Sequence, residues 1–268
     1  MDRVSGRVRL RSTFDTVAAQ YQDARPEYPA ELYAELLTLT GIRPGADVLC
    51  EVGSASGKAT LPLARLGFAI TCVELGTALA AEARHQLAGF SRVTVLNDSF
   101  ETWDADRTDY ALVFAATAWH WIDPAVKYRK AASLLRPGGH LAFWEAVHVR
   151  PDDGDPFFEE IQDVYDSIGA GHPGGHFFAK PDTMETQEAE IAASGLFTDI
   201  TVHRFDWEVR YTADRYISLL ETFSTTLVMQ PWQRERLYGE IRDRLALRPD
   251  GLLRRHWGTA LHVARAAG

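Results

Sequence analysis

Residues 51–60 read EVGSASGKAT. Gly53 and Gly57 stand four apart, Lys58 follows, and an apolar run precedes them. That composition makes a tight loop around a charged ligand, and the spacing sorts the candidates. A triphosphate loop needs G-x-x-x-x-G-K-[ST], so that backbone N–H groups cradle phosphates and a hydroxyl meets magnesium. Here the glycine pair is one residue too short, and Ala59 stands in the hydroxyl's place. A dinucleotide loop needs G-x-G-x-x-G, so that backbone can approach the pyrophosphate. Ala55 and Lys58 occupy its second and third positions, and a lysine there would spoil the close helix–strand contact. What remains is acidic-x-G-x-G-x-G, read as Glu51, Gly53, Ala55 and Gly57. Further chemistry-bearing residues end the later apolar runs. Glu74 closes the second and Asp98 follows the third. His120 sits between Trp119 and Trp121 after the fourth, and Trp144, Glu145 and His148 lie at the fifth.

The elements that must position these residues alternate. Residues 46–52, 68–75, 92–97, 109–116 and 140–147 read as short, nearly continuous apolar strands. Residues 57–67, 77–89 and 124–139 have helical spacing with glycine stops. Such alternation predicts a parallel sheet covered on both faces and doubly wound by right-handed crossovers. Ligands of such sheets bind beyond the carboxyl ends of the strands, where the acids and His120 fall. After residue 147 the pattern changes to helices and to two alternating segments, 197–211 and 257–266, which read as closing strands.

At these positions the chain resembles the class I S-adenosylmethionine (SAM)-dependent methyltransferases. The stretches FAATAWHWIDP and LLRPGGHLAFWE, with YQDARPEYP at residues 21–29, resemble the small-molecule branch containing trans-aconitate methyltransferase. In that branch a His-Trp pair follows the fourth strand. The resemblance covers residues 13–147. It implies an α/β fold, a Rossmann-like doubly wound sheet, mostly parallel with an antiparallel closing strand, under a partly helical cap. It implies SAM as cofactor and S-adenosyl-L-homocysteine (SAH) as product. It assigns Tyr21, Arg25, Glu51, Gly53, Ser54, Ala55, Gly57, Glu74, Leu75, Asp98, Ser99, Phe100 and Ala115 to the cofactor. In that assignment Glu51 faces the methionine ammonium and Arg25 its carboxylate. Glu74 takes the ribose hydroxyls, Asp98 the adenine amino group, and Phe100 flanks the ring. Ala55 departs from the family's usual glycine, which implies altered contacts rather than lost binding.

Methyl transfer needs alignment and exclusion of water, and a base only where the nucleophile must lose a proton. His120 is either that base or part of the pocket wall. Trp119, Trp121, Trp144, Glu145, His148 and His176 are candidates to line the acceptor pocket. His172 and His176 have the spacing of metal ligands, but Pro-Gly-Gly between them forbids the helix that would aim them together, so no metal is expected. The expected reaction is methylation of a small molecule, at oxygen before nitrogen or carbon. The alternatives are a SAM-binding enzyme of other chemistry and a non-catalytic binding protein on the same scaffold.

Net charge −9 in 268 residues argues against a nucleic-acid partner. The basic stretch at residues 3–11 reads as a solvated arm. Cys50 and Cys72 lie in apolar runs and suit buried thiols in a reducing cytoplasm. The first residues carry charges without an apolar run, so no signal peptide is expected, and no run approaches the about 18 apolar residues that span a bilayer. A monomer or homodimer without membrane contact is expected. The expected organisation is an N-terminal lid at 1–40, a SAM-binding core at 41–149 and a cap insertion at 150–185. Closing strands at 186–268 would carry a second, helical cap insertion at about 212–255.

Overall fold

The computed structural model describes residues 24–171 and 178–267. Tyr21, the His172–His176 pair and the basic stretch at 3–11 lie outside the described residues. Five parallel strands form the centre of the sheet: β1 (Val48–Val52), β2 (Ala69–Glu74), β3 (Val93–Asn97), β4 (Tyr110–Ala116) and β5 (Leu135–Trp144). Their order is 3-2-1-4-5. The order in which strands are added therefore reverses between β1 and β4, which opens a crevice at their carboxyl ends. Helices α1 (Ala30–Thr40), α2 (Thr60–Arg65), α3 (Thr77–Gln86) and α4 (Lys127–Leu134) accompany these strands.

The strands alternate between two cores. Leu49 of β1 and Leu112 and Phe114 of β4 join an apolar cluster with Leu36, Leu63 and Trp144. Cys50, Val52, Val113 and Ala115 join the opposite cluster with Trp119, Tyr128 and Phe143. Both cysteines are buried free thiols. The period of two places Glu51 on the Leu49 side, inside the protein at 1% exposure.

Three antiparallel strands finish the sheet: β6 (Val147–His148), β7 (Phe197–Tyr211) and β8 (Leu253–Ala266). β8 pairs β5 through His140↔Arg265 to Phe143↔His262, and β6 through Val147↔Gly258 and His148↔Trp257. Its other edge carries β7 from Phe197↔Ala266 to Tyr211↔Leu253. The remaining helices are α5 (Phe157–Glu160), α6 (Gln162–Ser167), α7 (Glu188–Ala193), α8 (Ala213–Leu220), α9 (Ser224–Leu227) and α10 (Pro231–Ala246). A third apolar cluster joins Phe157, Ile161 and Val164 to Tyr216, Leu220, Leu237, Ile241 and Trp257. Several sequence boundaries move, among them two by four residues or more. The helix expected to run to residue 139 ends at Leu134, because Leu135 already pairs with Tyr110 and the Pro-Gly-Gly stretch makes an irregularity in β5. β8 begins at Leu253 rather than 257.

Candidate functional site

The glycine loop leaves β1 at the crevice. Gly53 has φ +68°, and a Cβ on it would lie 2.6 Å from the Ala118 Cβ, so the loop packs directly on the turn after β4. Gly57 has φ +88°, and its Cβ would meet Leu87 Cδ1 at 2.9 Å. Ala55 holds φ +47°, a left-handed conformation that costs a non-glycine residue roughly 1 kcal/mol. Its backbone N–H donates to Glu74 Oε2 at 2.8 Å, and the Gly76 N–H donates to Glu74 Oε1 at 2.7 Å. Glu74 thereby ties the loop to the end of β2. Asn97, which the sequence reading passed over, holds the same turn: its side-chain amide donates to the carbonyls of Glu74 and Leu75.

A cleft of about 280 Å³ opens beside this loop. It brings together Arg25, Gly53, Ala55, Glu74, Leu75, Asp98, Phe100, His120, Trp121 and Glu145 of the expected residues. It adds Val73, Leu79, Thr117, Ala118, Ile122, Ala146 and Phe223, which carry no motif of their own. His120 lies in a short 3-10 turn, Trp119–Trp121, and its Nδ1 is 3.3 Å from Glu145 Oε2 at the end of β5. Thr117, a β-branched residue at φ +54°, is a strained position of the kind that clusters at functional sites. Its hydroxyl meets the Tyr28 hydroxyl at 2.7 Å and accepts from the Ala146 N–H at 3.2 Å. Tyr28 belongs to the N-terminal YQDARPEYP stretch, so that stretch reaches the crevice through an aromatic other than Tyr21.

Arg25 is anchored by the segment that follows α8. Its guanidinium donates to Thr222 Oγ1 at 3.0 Å and to the Thr222 carbonyl at 3.3 Å, and it lies 4.2 Å over the Phe223 ring. Lys58 donates to the Arg25 carbonyl at 2.7 Å, which joins the glycine loop to the N-terminal segment. Glu51 lines a small neighbouring cavity with Ser54 and Lys58. It accepts from Thr60 Oγ1, and burial pushes its carboxyl up to about 8, against the pull of the Thr60 hydrogen bond.

Other expected residues fall elsewhere. Gly57 packs on Leu87 rather than on the cleft. The Ser99 hydroxyl donates to Glu101, and Ala115 is fully buried in β4. Trp119 and Trp144 are core residues at 2% and 1% exposure, stacked on Phe143 and Phe114 respectively. Both contribute to the wall of a second cavity of about 340 Å³, which shares His120 and Glu145 with the cleft and also contains His148 and His262. Among the described residues no group of His, Cys, Asp or Glu could hold a metal ion.

Residues 49–139 match the family described as Methyltransferase domain. The chain carries a methyltransferase domain and is an enzyme of that class. An uncharacterized methyltransferase of Mycobacterium tuberculosis is 24% identical over 237 residues, 88% of this chain and 87% of the relative. A putative type II methyltransferase from Anaeromyxobacter dehalogenans shares the fold at a TM-score of 0.62 and 23% identity, covering 90% of this chain and 97% of the other. A phosphoethanolamine N-methyltransferase of Haemonchus contortus was solved with phosphomonomethylethanolamine and SAH. It is similar at a TM-score of 0.54 and 17% identity, over 95% of this chain and 58% of its own. The methyltransferase domain thus contains the glycine loop, Glu74, Asp98 and His120, while Glu145, His148 and Phe223 come from outside its matched span. No helix among the described residues is long and apolar enough to cross a membrane.

Proposed function

We propose that the chain methylates a small molecule at the cleft between β1 and β4, with His120 as general base and Glu145 as the group that orients it. The 3.3 Å approach of His120 Nδ1 to Glu145 beside the glycine loop carries this reading. The cleft residues fit SAM. Gly53 gives close backbone approach, Glu74 and Asp98 are acceptors for ribose hydroxyls and an adenine amino group, and Leu79, Phe100 and Ile122 are apolar neighbours for a ring. Each oxygen of the Glu74 carboxylate is able to accept more than one hydrogen bond. Arg25, Lys58 and Glu51 would face the amino-acid end. Bound SAM supplies a methyl group on a positively charged sulfur, so the leaving group is already activated.

The protein's own part is alignment and proton removal. Glu145 accepts the Nδ1–H of neutral His120, which leaves Nε2 as the basic nitrogen. Nε2 would take the proton from an acceptor hydroxyl, whereas an acceptor carboxylate would need only alignment. The cap, about 150–185 and 212–255, closes over the cleft with Phe223 and Arg25 and chooses the acceptor. Oxygen is the preferred nucleophile, in keeping with the His-Trp pair shared with the trans-aconitate branch. Net charge −9 disfavours nucleic acid as acceptor.

The test is a calorimetric titration with SAH, with NADH and ATP as controls, on the wild type and Glu74→Ala. Micromolar binding of SAH alone, weakened about tenfold or more in the variant, is expected. Tighter binding of NADH, or an affinity indifferent to Glu74, would sink the cofactor assignment. A product heavier than its acceptor by one methylene separates methyl transfer from other SAM chemistry.

A further inference from the structure

Arg255 is a buried cation with no acid beside it among the described residues. Arg255 of β8 is 5% exposed. Its Nε–H donates to His148 Nδ1 at 2.7 Å, and Nη1 reaches the Tyr216 hydroxyl at 3.4 Å. Its guanidinium lies 4.1 Å from the Phe158 ring centroid and 4.8 Å from that of Phe178. Among the described residues no carboxylate comes within ion-pair distance of it. The nearby acids serve other cations: Asp155 holds Arg248, and Glu208 faces Arg210, Arg254 and His256. Burial draws the Arg255 pKa down, yet a guanidinium starts so high that it stays charged at neutral pH.

Aromatic rings satisfy only part of such a group. They cover the faces of the guanidinium, whereas its five N–H donors lie in the plane and need acceptors at the edge. His148 and Tyr216 take two of them. A buried charge without an anion is costly, and planar guanidinium edges match carboxylate and phosphate oxygens.

The position of Arg255 says what would supply that anion. It lines a cavity of about 420 Å³ whose other walls are largely apolar and aromatic, among them Ile161, Tyr165, Leu220 and Met229. This cavity adjoins the site. It shares Phe223 with the cofactor cleft and His148 with the cavity behind His120 and Glu145. Glu145 and His148 are three residues apart along the chain, so their backbones are within roughly 10 Å.

We propose that Arg255 binds an anionic group of the methyl acceptor, and that the acceptor is a small aromatic or apolar acid spanning from Arg255 to His120. The identity of this ligand as the acceptor rests on the methyl-transfer reading. His148 is then a positioning residue, which holds the guanidinium through Nε. Carboxylate and phosphate ester share the required chemistry and are separated by the probes below.

Wild-type protein saturated with SAH is titrated by calorimetry with phenylacetate, phenyl phosphate and the neutral phenylacetamide. At least one anion should bind about tenfold tighter than the amide, and the tighter of the two anions names the acid. Arg255→Gln should erase that preference and leave SAH affinity within about twofold, and Arg255→Lys should keep part of it. Equal binding of anion and amide, no anion binding in the millimolar range, or a preference that survives in Arg255→Gln overturns the proposal. If Arg255→Gln does not fold, the anion-against-amide comparison on the wild type decides alone. Failure of SAH to bind would sink the methyl-transfer reading instead, and the same comparison on ligand-free protein would still judge Arg255.

Discussion

Glu51 is a carboxyl group held where a carboxylate is costly. Its folded pKa is about 8 against an ordinary 4.5, because burial outweighs the Thr60 hydrogen bond. Between those values the native protein binds a proton that the unfolded chain has released. Stability is therefore fully present below about pH 4.5, falls as pH rises, and levels off above about pH 8. Glu51→Gln keeps an amide oxygen for Thr60 and removes this dependence. The ligand-free variant should gain on the wild type by roughly 2–4 kcal/mol between pH 5 and 8, read from urea unfolding at each pH. Parallel profiles for the two proteins would show that Glu51 is ionised in the fold. His120 makes a different prediction. His120→Ala should lower turnover by about 100-fold with SAH affinity intact, measured as label passed from methyl-labelled SAM to an acceptor in metabolite extract. Unchanged turnover would leave His120 as wall. The cleft beside the glycine loop was legible from Gly53, Glu74 and Asp98, since each sits at or just past a strand end. Thr117 and Tyr28 were not legible: their hydrogen bond joins residues 89 apart, and no local pattern records it.

At the scale of elements, β7 was readable to the residue because FTDITVHRFDWEVRY alternates along its whole length. The end of α4 was not, because Pro-Gly-Gly suits a helix stop and a β-bulge equally, and the pairing of Leu135 with Tyr110 decided for the strand. The tryptophans divide: Trp121 lines the cleft, whereas Trp119 and Trp144 are mostly buried. Position at a strand end does not say whether a ring turns outward, and Trp119 and Trp144 turn into the two cores. Asp155 shows how the cap elements are fastened. It is 2% exposed and takes Arg248 through both guanidinium nitrogens at 2.8 Å, with the N–H groups of Phe157 and Arg254. Burial would raise its pKa, but these partners prevail and hold it below the usual carboxylate range. Asp155→Ala should cost about 3 kcal/mol in urea unfolding, since it strands a half-buried arginine and two backbone donors. SAH affinity should stay within about twofold, because Asp155 lines neither the cleft nor the small cavity beside the glycine loop. A loss below about 1 kcal/mol would mean the cap is fastened elsewhere.

At the scale of the whole molecule, core and cap are joined by continuous strands. β8 pairs with β5 through residues 262–265, while Leu253 and Trp257 at its other end belong to the apolar core of the cap. The same strand presents Arg255 to the cap cavity. The parallel strands β1 to β5 were legible because each is a short apolar run next to its own helix. The join was hidden because β8 pairs with β6, more than 100 residues earlier, and the pairing partner leaves no mark on the run itself. This placement sets an order of events during synthesis. The five parallel strands and the glycine loop are complete in sequence once residue 144 has left the ribosome. β5 keeps an open edge, and β7 has no partner, until residues 253–266 emerge and slide between them. Such long-range pairing is slow and leaves sticky edges meanwhile. If Arg255 and its cavity recognise the acceptor as proposed, that recognition is the last property the growing chain acquires.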